Sequence, residues 1–125
     1  QAVNIAERTL ELLKEPLLKP LIDIPRMAEL AQRMVKDSLD AFVQQDVARA
    51  REVCRQDDQV DRLDDQIFRE LLTYMMQDPR AITRAVHLIL VSRHLERIAD
   101  HSTNVAEDVI YLAEGKTIKH HLAGE

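Results

Sequence analysis

The amino-acid sequence predicts an all-α protein, a three-helix up-down-up bundle with an additional N-terminal helical segment. Glycine and proline are rare, with 2 and 4 among 125 residues, so the chain has few of the turns that a β-sandwich or barrel needs. Apolar residues make up 46% of the chain, and they recur at the three- and four-residue steps of helices. The chain is also long enough to bury one compact hydrophobic core.

The first helical pattern starts at the first residue. Apolar residues at helical spacing fill residues 1–14 with no capping residue before them, so we expect the chain to begin inside a helix and to be a piece of a longer protein. Residues 4–7 resemble residues 104–107, a hint of an internal repeat, although such short matches between helices are common. We therefore assign residues 1–20 to the end of a preceding repeat's last helix and a linker.

Three longer helices follow. Asp23, with Pro25 in the first turn, is the expected start of the first. Asp46 is the expected N-cap of the second, and Asp78 followed by Pro79 begins the third, which we expect to end at Gly115. The bundle then spans residues 21–115, and residues 116–125 form a poorly ordered tail. On the first helix the predicted apolar stripe comprises Met27, Leu30, Ala31, Met34, Val35, Ser38, Leu39 and Phe42.

Composition excludes several classes of function. The net charge is −5, with 22 acidic against 17 basic residues and 3% aromatic residues, which excludes the basic, aromatic surface of a nucleic-acid-binding protein. The single cysteine, Cys54, cannot form an internal disulfide, no apolar run has the length expected of a membrane span, and the first residues do not follow a signal-peptide pattern. We expect a cytoplasmic protein that neither binds nucleic acid nor inserts directly into a membrane.

Two pairs of acidic residues carry the most informative pattern. Asp57 and Asp61 are four residues apart and share one face of the second helix, where they interrupt an apolar stripe. Glu96 and Asp100 repeat this spacing on the third helix. Carboxylates crowded at a helix interface repel one another, so either their pKa values rise or a cation binds between them. Magnesium, manganese, iron and zinc all accept carboxylate ligands.

The alternative is that these carboxylates are simply solvated. In that interpretation the aspartates of the second helix form a wet acidic face, while Glu96 and Asp100 pair with Arg93 and Arg97. The spacing alone favours this alternative over a metal site.

The histidines and the cysteine are less informative. His87, His94 and His101 recur every seven residues, which stacks them on one side of the third helix. That side lies more than about 90° from the acidic pair on the helical wheel, so we expect rim or interhelical hydrogen-bonding residues rather than metal ligands. Acidic neighbours raise the pKa of Cys54, which disfavours a nucleophilic role.

Three segments together resemble the PhoU family of phosphate-signalling proteins. They are the acidic run at residues 57–61, the stretch at residues 71–76, and residues 96–100 with Asn104 and Glu107. The family signature is a repeated Glu/Asp-x-x-x-Asp in a protein of two similar three-helix bundles. This chain is similar to the second bundle plus the last helix of the first, over about residues 1–115.

The resemblance implies a cytoplasmic regulator and not an enzyme. It implies a negative-regulatory adaptor in the phosphate-starvation response, with two partners: the ATPase subunit of the phosphate ABC transporter and a sensor histidine kinase. It also implies a homo-oligomer, expected to be a homodimer. Two alternatives stay open: a metal-free helical interaction module, and a carboxylate-bridged metalloenzyme. The second is disfavoured because no nucleophile–base pair or Glu-x-x-His motif is present.

Carried over by position, the resemblance assigns iron or zinc, as one or several ions, to the acidic pairs. Ala99 departs from the pattern, since the family often has glycine there. Its methyl group limits how closely a neighbouring helix can approach. The expected metal ligands are Asp57, Asp61, Glu96 and Asp100, with Asn104 and Asp64 as additional or supporting residues.

Overall fold

A computed structural model describes the backbone of residues 18–124 and the side chains of residues 20–115. Three helices account for almost all of this part: α1 (Leu18–Gln44), α2 (Val47–Gln77) and α3 (Ile82–Gly124), with a 3₁₀ turn (Pro79–Ala81) between the last two. Each helix packs against both others. The predicted three-helix bundle is confirmed, while the predictions for residues 1–14 lie outside the described residues.

Both interhelical connections are built by local hydrogen bonds. α1 ends in a Schellman motif, in which the amide of Asp46 donates to the Ala41 carbonyl (2.9 Å) and Gln45 adopts a left-handed φ of 53°. The Asp46 carboxylate then accepts from the Arg49 amide at 3.1 Å and caps α2. Asp78 likewise accepts from the Arg80 amide at 3.1 Å, ahead of α3. The predicted caps Asp46 and Asp78 are confirmed, and such short connections make consecutive helices antiparallel neighbours.

A heptad repeat forms the core. Buried residues recur every seven positions on each helix, the period that lets long helices supercoil around one another. Alanine and serine occupy these positions on α3, which allows α1 and α2 to approach it closely. The repeat consists of Pro20, Met27, Met34 and Ala41 on α1, of Val53, Val60, Ile67 and Tyr74 on α2, and of Ala85, Ser92, Ala99 and Ala106 on α3.

Two helix boundaries differ from the sequence prediction. α1 begins at Leu18, so Asp23 is not a cap but a buried residue inside the helix, and Pro25 is also internal. Proline removes one amide donor, while the fully buried Met27, two residues later, anchors this part of α1 in the core. At the other end α3 continues past Gly115 to Gly124. Gly115 does not adopt a positive φ, and a glycine inside a helix costs only about 1 kcal/mol.

The apolar stripe of α1 is wider than the surface that the bundle covers. Val35, Leu39 and Phe42 belong to the predicted stripe but are exposed, Leu39 and Phe42 by about half of their surface. Met27, Ala31 and Met34 are buried as predicted, because only their side of the stripe faces α2 and α3. Within the described residues, no helix has both the length and the apolar character of a membrane span.

Candidate metal centre

The heptad repeat places the predicted acidic residues at the margin of the α2–α3 interface. On α2, Asp57 lies between the buried residues Val53 and Val60 and is half-buried, while Asp61 is exposed. On α3, Ala99 is fully buried against the bundle, so its neighbour Asp100 emerges at the edge of the same interface. The local sequence thus brings carboxylates from two helices together at a partly buried edge of the interface.

Three of the four predicted ligands converge on one point. One carboxylate oxygen each from Asp57, Asp61 and Asp100 lies within 4.8 Å of the other two. Glu96 lies beside this group, because Asp100 and Asp61 both contribute to the raised pKa of its carboxyl. All four residues predicted from the sequence are therefore neighbours in space.

The cluster holds protons more tightly than ordinary carboxylates do. Burial, and then the charges of Asp61 and Asp100, raise the pKa of Asp57 to about 6; a hydrogen bond from Thr103 opposes this rise only in part. Burial, the hydrogen bond to Asp100 and the charge of Asp100 raise the pKa of Glu96 to about 7. The pKa of Asp61 is also raised, first by burial and then by Asp100. A proton or a cation relieves the same repulsion.

The donor set fits a hard or borderline metal ion. Oδ1 of Asp57 is buried and has no hydrogen-bond partner among the described residues, and a buried carboxylate oxygen without a partner carries a large desolvation penalty. A cation beside Asp61 and Asp100 would satisfy it. Iron and zinc accept such all-oxygen ligation, so the residues present fit either metal.

The ion pairs expected in the solvated alternative are not found among the described residues. Within the described residues, Glu96 and Asp100 form no ion pair with Arg93 or Arg97. Arg93 instead lies 3.7 Å from Oδ2 of Asp64 and stacks over the Phe68 ring at 5.1 Å from its centroid. The cluster therefore has no neutralising arginine in the described part of the chain.

The two supporting residues have different environments. Asp64 is buried at 8% exposure and accepts a 2.8 Å hydrogen bond from the Ser92 hydroxyl, so it ties α2 to α3 beneath the cluster. Its charge also reaches Asp61 and contributes to the raised pKa there. Asn104, one helical turn beyond Asp100, is exposed.

Several neighbours of the cluster were not predicted as site residues. The hydroxyl of Thr103, one turn beyond Asp100, donates to the Ala99 carbonyl at 3.0 Å and lies close enough to Asp57 to lower the pKa of that carboxyl. Its position three residues after Asp100 is the only sequence signal for it. Burial, Glu107 and Asp57 raise the pKa of the half-buried Cys54, so its thiol stays protonated as expected.

The three stacked histidines, His87, His94 and His101, are exposed and do not join the converging carboxylates.

Comparison with known proteins identifies the family. Residues 24–109 match the model of the PhoU domain. The chain belongs to the PhoU family. The matched range contains all four cluster carboxylates and both connections of the bundle.

Named relatives agree with this assignment. The phosphate-specific transport system accessory protein PhoU homolog of Aquifex aeolicus is 53% identical over 120 residues, which is 96% of this chain and 54% of that protein. PhoU homolog 2 of Thermotoga maritima is 42% identical over 116 residues, which is 93% of this chain and 49% of that protein. The chain thus spans about half the length of the curated relatives it matches.

A solved PhoU structure supports the fold. The crystal structure of PhoU from Pseudomonas aeruginosa superposes with a TM-score of 0.73 at 46% sequence identity, covering 75% of this chain and 45% of that one. The chain is therefore similar to roughly one half of a PhoU protein, in sequence and in structure.

Proposed function

We propose that the chain is a non-catalytic regulator of phosphate uptake whose carboxylate cluster binds iron or zinc. The convergence of Asp57, Asp61 and Asp100 within 4.8 Å is the observation that supports the metal site. The names of the relatives, phosphate-specific transport system accessory proteins, support the link to phosphate transport.

The residues have distinct proposed roles at this site. Asp57, Asp61 and Asp100 supply carboxylate oxygens, and Glu96 adds a fourth once it is deprotonated. Asp64, which accepts a hydrogen bond from Ser92, adds negative charge from the buried side of the cluster. The metal would supply positive charge that neutralises the cluster and links α2 to α3. Its role is structural or sensory, because no nucleophile–base pair accompanies it in the described residues.

The proposed action is that of a cytoplasmic adaptor. It restrains the phosphate-starvation response by contacting the ATPase subunit of the phosphate ABC transporter and a sensor histidine kinase. The exposed apolar residues of α1, Leu39, Phe42 and Val43, favour a protein with binding partners, because exposed apolar side chains at neighbouring helical positions mark interaction surfaces. The same observation supports the second candidate, an interaction module that needs no metal.

Binding measurements with purified partners test the proposal. The immobilised 125-residue chain should bind the ATPase subunit of a phosphate ABC transporter and the cytoplasmic part of the sensor kinase. It should not bind the ATPase subunit of an unrelated ABC transporter. Absence of binding to both partners by a helical, folded chain would refute the adaptor role.

The same binding assay, run with and without metal, tests the proposed metal site. The variant Asp57→Asn/Asp100→Asn keeps the size of both side chains and removes two negative charges. If metal-loaded chain binds its partners more tightly than metal-free chain, and the variant does not respond to metal, the cluster is sensory. The other outcome is that the unmodified chain and the variant, each with and without metal, all bind the partners equally. If only the unmodified chain then binds metal, the metal has a structural role.

A further inference from the structure

The groove between α1 and α2 has a charge opposite to that of the chain as a whole. Arg26 and Arg33 from α1 and Arg62 from α2 line a cavity of about 460 Å³. Among the described residues that line it, Glu29 is the only one with a carboxylate. The groove therefore carries a net positive charge on a protein whose net charge is −5, and we call it the arginine groove.

Among the described residues, the arginines of the groove form no ion pair, unlike the remaining arginines of α2. Arg49, Arg51, Arg55 and Arg69 each pair with a carboxylate on their own or a neighbouring helix. Arg62 instead donates its Nε to the Asp58 carbonyl at 3.3 Å, which leaves its other nitrogens free to bind an anion.

The two arginines of α1 are equally available. Within the described residues, Arg26 and Arg33 form no ion pair, even with Glu29 one helical turn away. Guanidinium groups bind phosphate oxygens through pairs of parallel hydrogen bonds, which makes arginine the preferred residue for phosphate recognition.

The spacing of the arginines indicates an elongated ligand. Arg26 and Arg33 are seven residues apart, which is two helical turns or about 10 Å along α1, and Arg62 faces them from α2. One orthophosphate ion is too small to contact all three guanidinium groups. A chain of linked phosphates can follow the groove.

The remaining lining is suited to a small organic molecule. Leu30 and Leu63, one from each helix, are half-buried and form an apolar floor, while Gln59 and Gln66 line the groove on the α2 side. The Gln66 amide donates to Glu70 at 3.0 Å. Small-molecule sites have volumes of about 300–1,000 Å³, an apolar lining and a few polar groups that orient the ligand. A docked macromolecule needs about 800 Å² on each partner, more than this slot between two helices offers.

We propose that the arginine groove binds a small anion with a chain of at least two phosphate groups. A nucleoside di- or triphosphate and an inorganic oligophosphate share this chemistry. The groove lies between α1 and α2, whereas the carboxylate cluster lies between α2 and α3. We therefore expect phosphate binding in the groove to be independent of metal binding at the cluster.

Calorimetric titrations at low ionic strength, in buffer containing a chelator, test the proposal. The probes are adenosine triphosphate, inorganic triphosphate and orthophosphate. Both triphosphates should bind, and orthophosphate should bind at least tenfold more weakly. Tighter binding of adenosine triphosphate than of inorganic triphosphate would indicate that the apolar floor contacts the nucleoside. Equal binding would indicate a site for inorganic oligophosphate.

Three variants locate the site. Arg33→Gln/Arg62→Gln should weaken triphosphate binding by roughly a hundredfold, because each lost charged hydrogen bond corresponds to about tenfold or more in affinity. Arg84→Gln removes an exposed arginine that also lacks an ion pair in the described residues, and it should leave binding unchanged. Glu29→Gln removes the opposing charge and should strengthen binding about two- to fivefold.

Two results would overturn the proposal: no binding of either triphosphate, or an equal loss of binding in Arg84→Gln and in the double variant. Asp57→Asn/Asp100→Asn should bind triphosphate like the unmodified chain. A failure of the metal site is thereby distinguishable from a failure of the arginine groove. All of the substituted side chains of the groove are exposed, and circular dichroism verifies that each variant is helical.

Discussion

A carboxylate oxygen of Asp57 on α2 lies within 4.8 Å of a carboxylate oxygen of Asp100 on α3, and an oxygen of Asp61 lies within the same limit of both. Two helices of the bundle therefore meet at a point where their charges repel. The repulsion, together with burial, raises the pKa of Asp57 to about 6. Either protons or a metal ion can hold this interface together, and the predictions below separate the two.

The metal-free chain should become less stable as the pH rises from about 4 to about 8. The pKa values of Asp57 and Glu96, about 6 and about 7, lie above those of the unfolded chain, so the folded state binds more protons in this window. Stability is then greatest below the unfolded pKa values and is lost as the pH passes through the folded ones. Urea denaturation at several pH values, in the presence of a chelator, measures the effect.

The matched control replaces the two titrating groups. Asp57→Asn/Glu96→Gln should flatten the dependence in this window, because neither amide titrates. Asp58→Asn/Asp65→Asn, which alters two exposed carboxylates of α2 outside the converging group, should retain most of the dependence. A stability that rises with pH in the metal-free chain would contradict the raised pKa values.

Ser92→Ala should destabilise the bundle by about 1–3 kcal/mol, because it leaves the buried Asp64 carboxylate without the 2.8 Å hydrogen bond from α3. Ser102→Ala is the control: Ser102 is also buried on α3, but it donates only to the Ile98 carbonyl of its own helix. The control should change stability by less than about 0.5 kcal/mol. Similar losses in both variants, measured by urea denaturation, would show that the Ser92–Asp64 bond contributes nothing specific.

Ala99→Leu should destabilise the chain by about 1–3 kcal/mol and weaken metal binding as well. Ala99 is fully buried between the helices beside Asp100, so added methylene groups push α2 and α3 apart. Ala48→Leu, at an exposed position of α2, should change neither property. If Ala99→Leu lost stability but bound metal normally, the cluster would not depend on close packing of the two helices.

The heptad pattern explains why much of the fold could be predicted from the sequence. Apolar periodicity and the caps Asp46 and Asp78 depend on local chemistry, so they identify helices and their connections without any tertiary information. The four carboxylates could be found because a four-residue spacing fixes one helix face. Their meeting across two helices needed either the resemblance to a family or the structure.

Other features depend on tertiary packing and escape local reasoning. Whether Gly115 ends α3 depends on its φ, and whether Phe42 is buried depends on how much of α1 the bundle covers. The arginine groove joins residues of α1 and α2 that have no fixed sequence spacing, and the overall acidic charge hides it. The repeat expected near residues 4–7 stays a prediction, as does the division at residue 20.

The most direct test of the carboxylate cluster is elemental analysis of the purified chain after matched exposure to iron and zinc. The comparison variant carries alanine in place of Asp57, Asp61, Glu96 and Asp100, and the control carries Asp58→Ala/Asp65→Ala. We predict bound metal in the unmodified chain and in the control, and none in a quadruple variant that circular dichroism shows to be helical. Equal, near-zero metal in all three samples would contradict the metal site and return these carboxylates to the solvated surface.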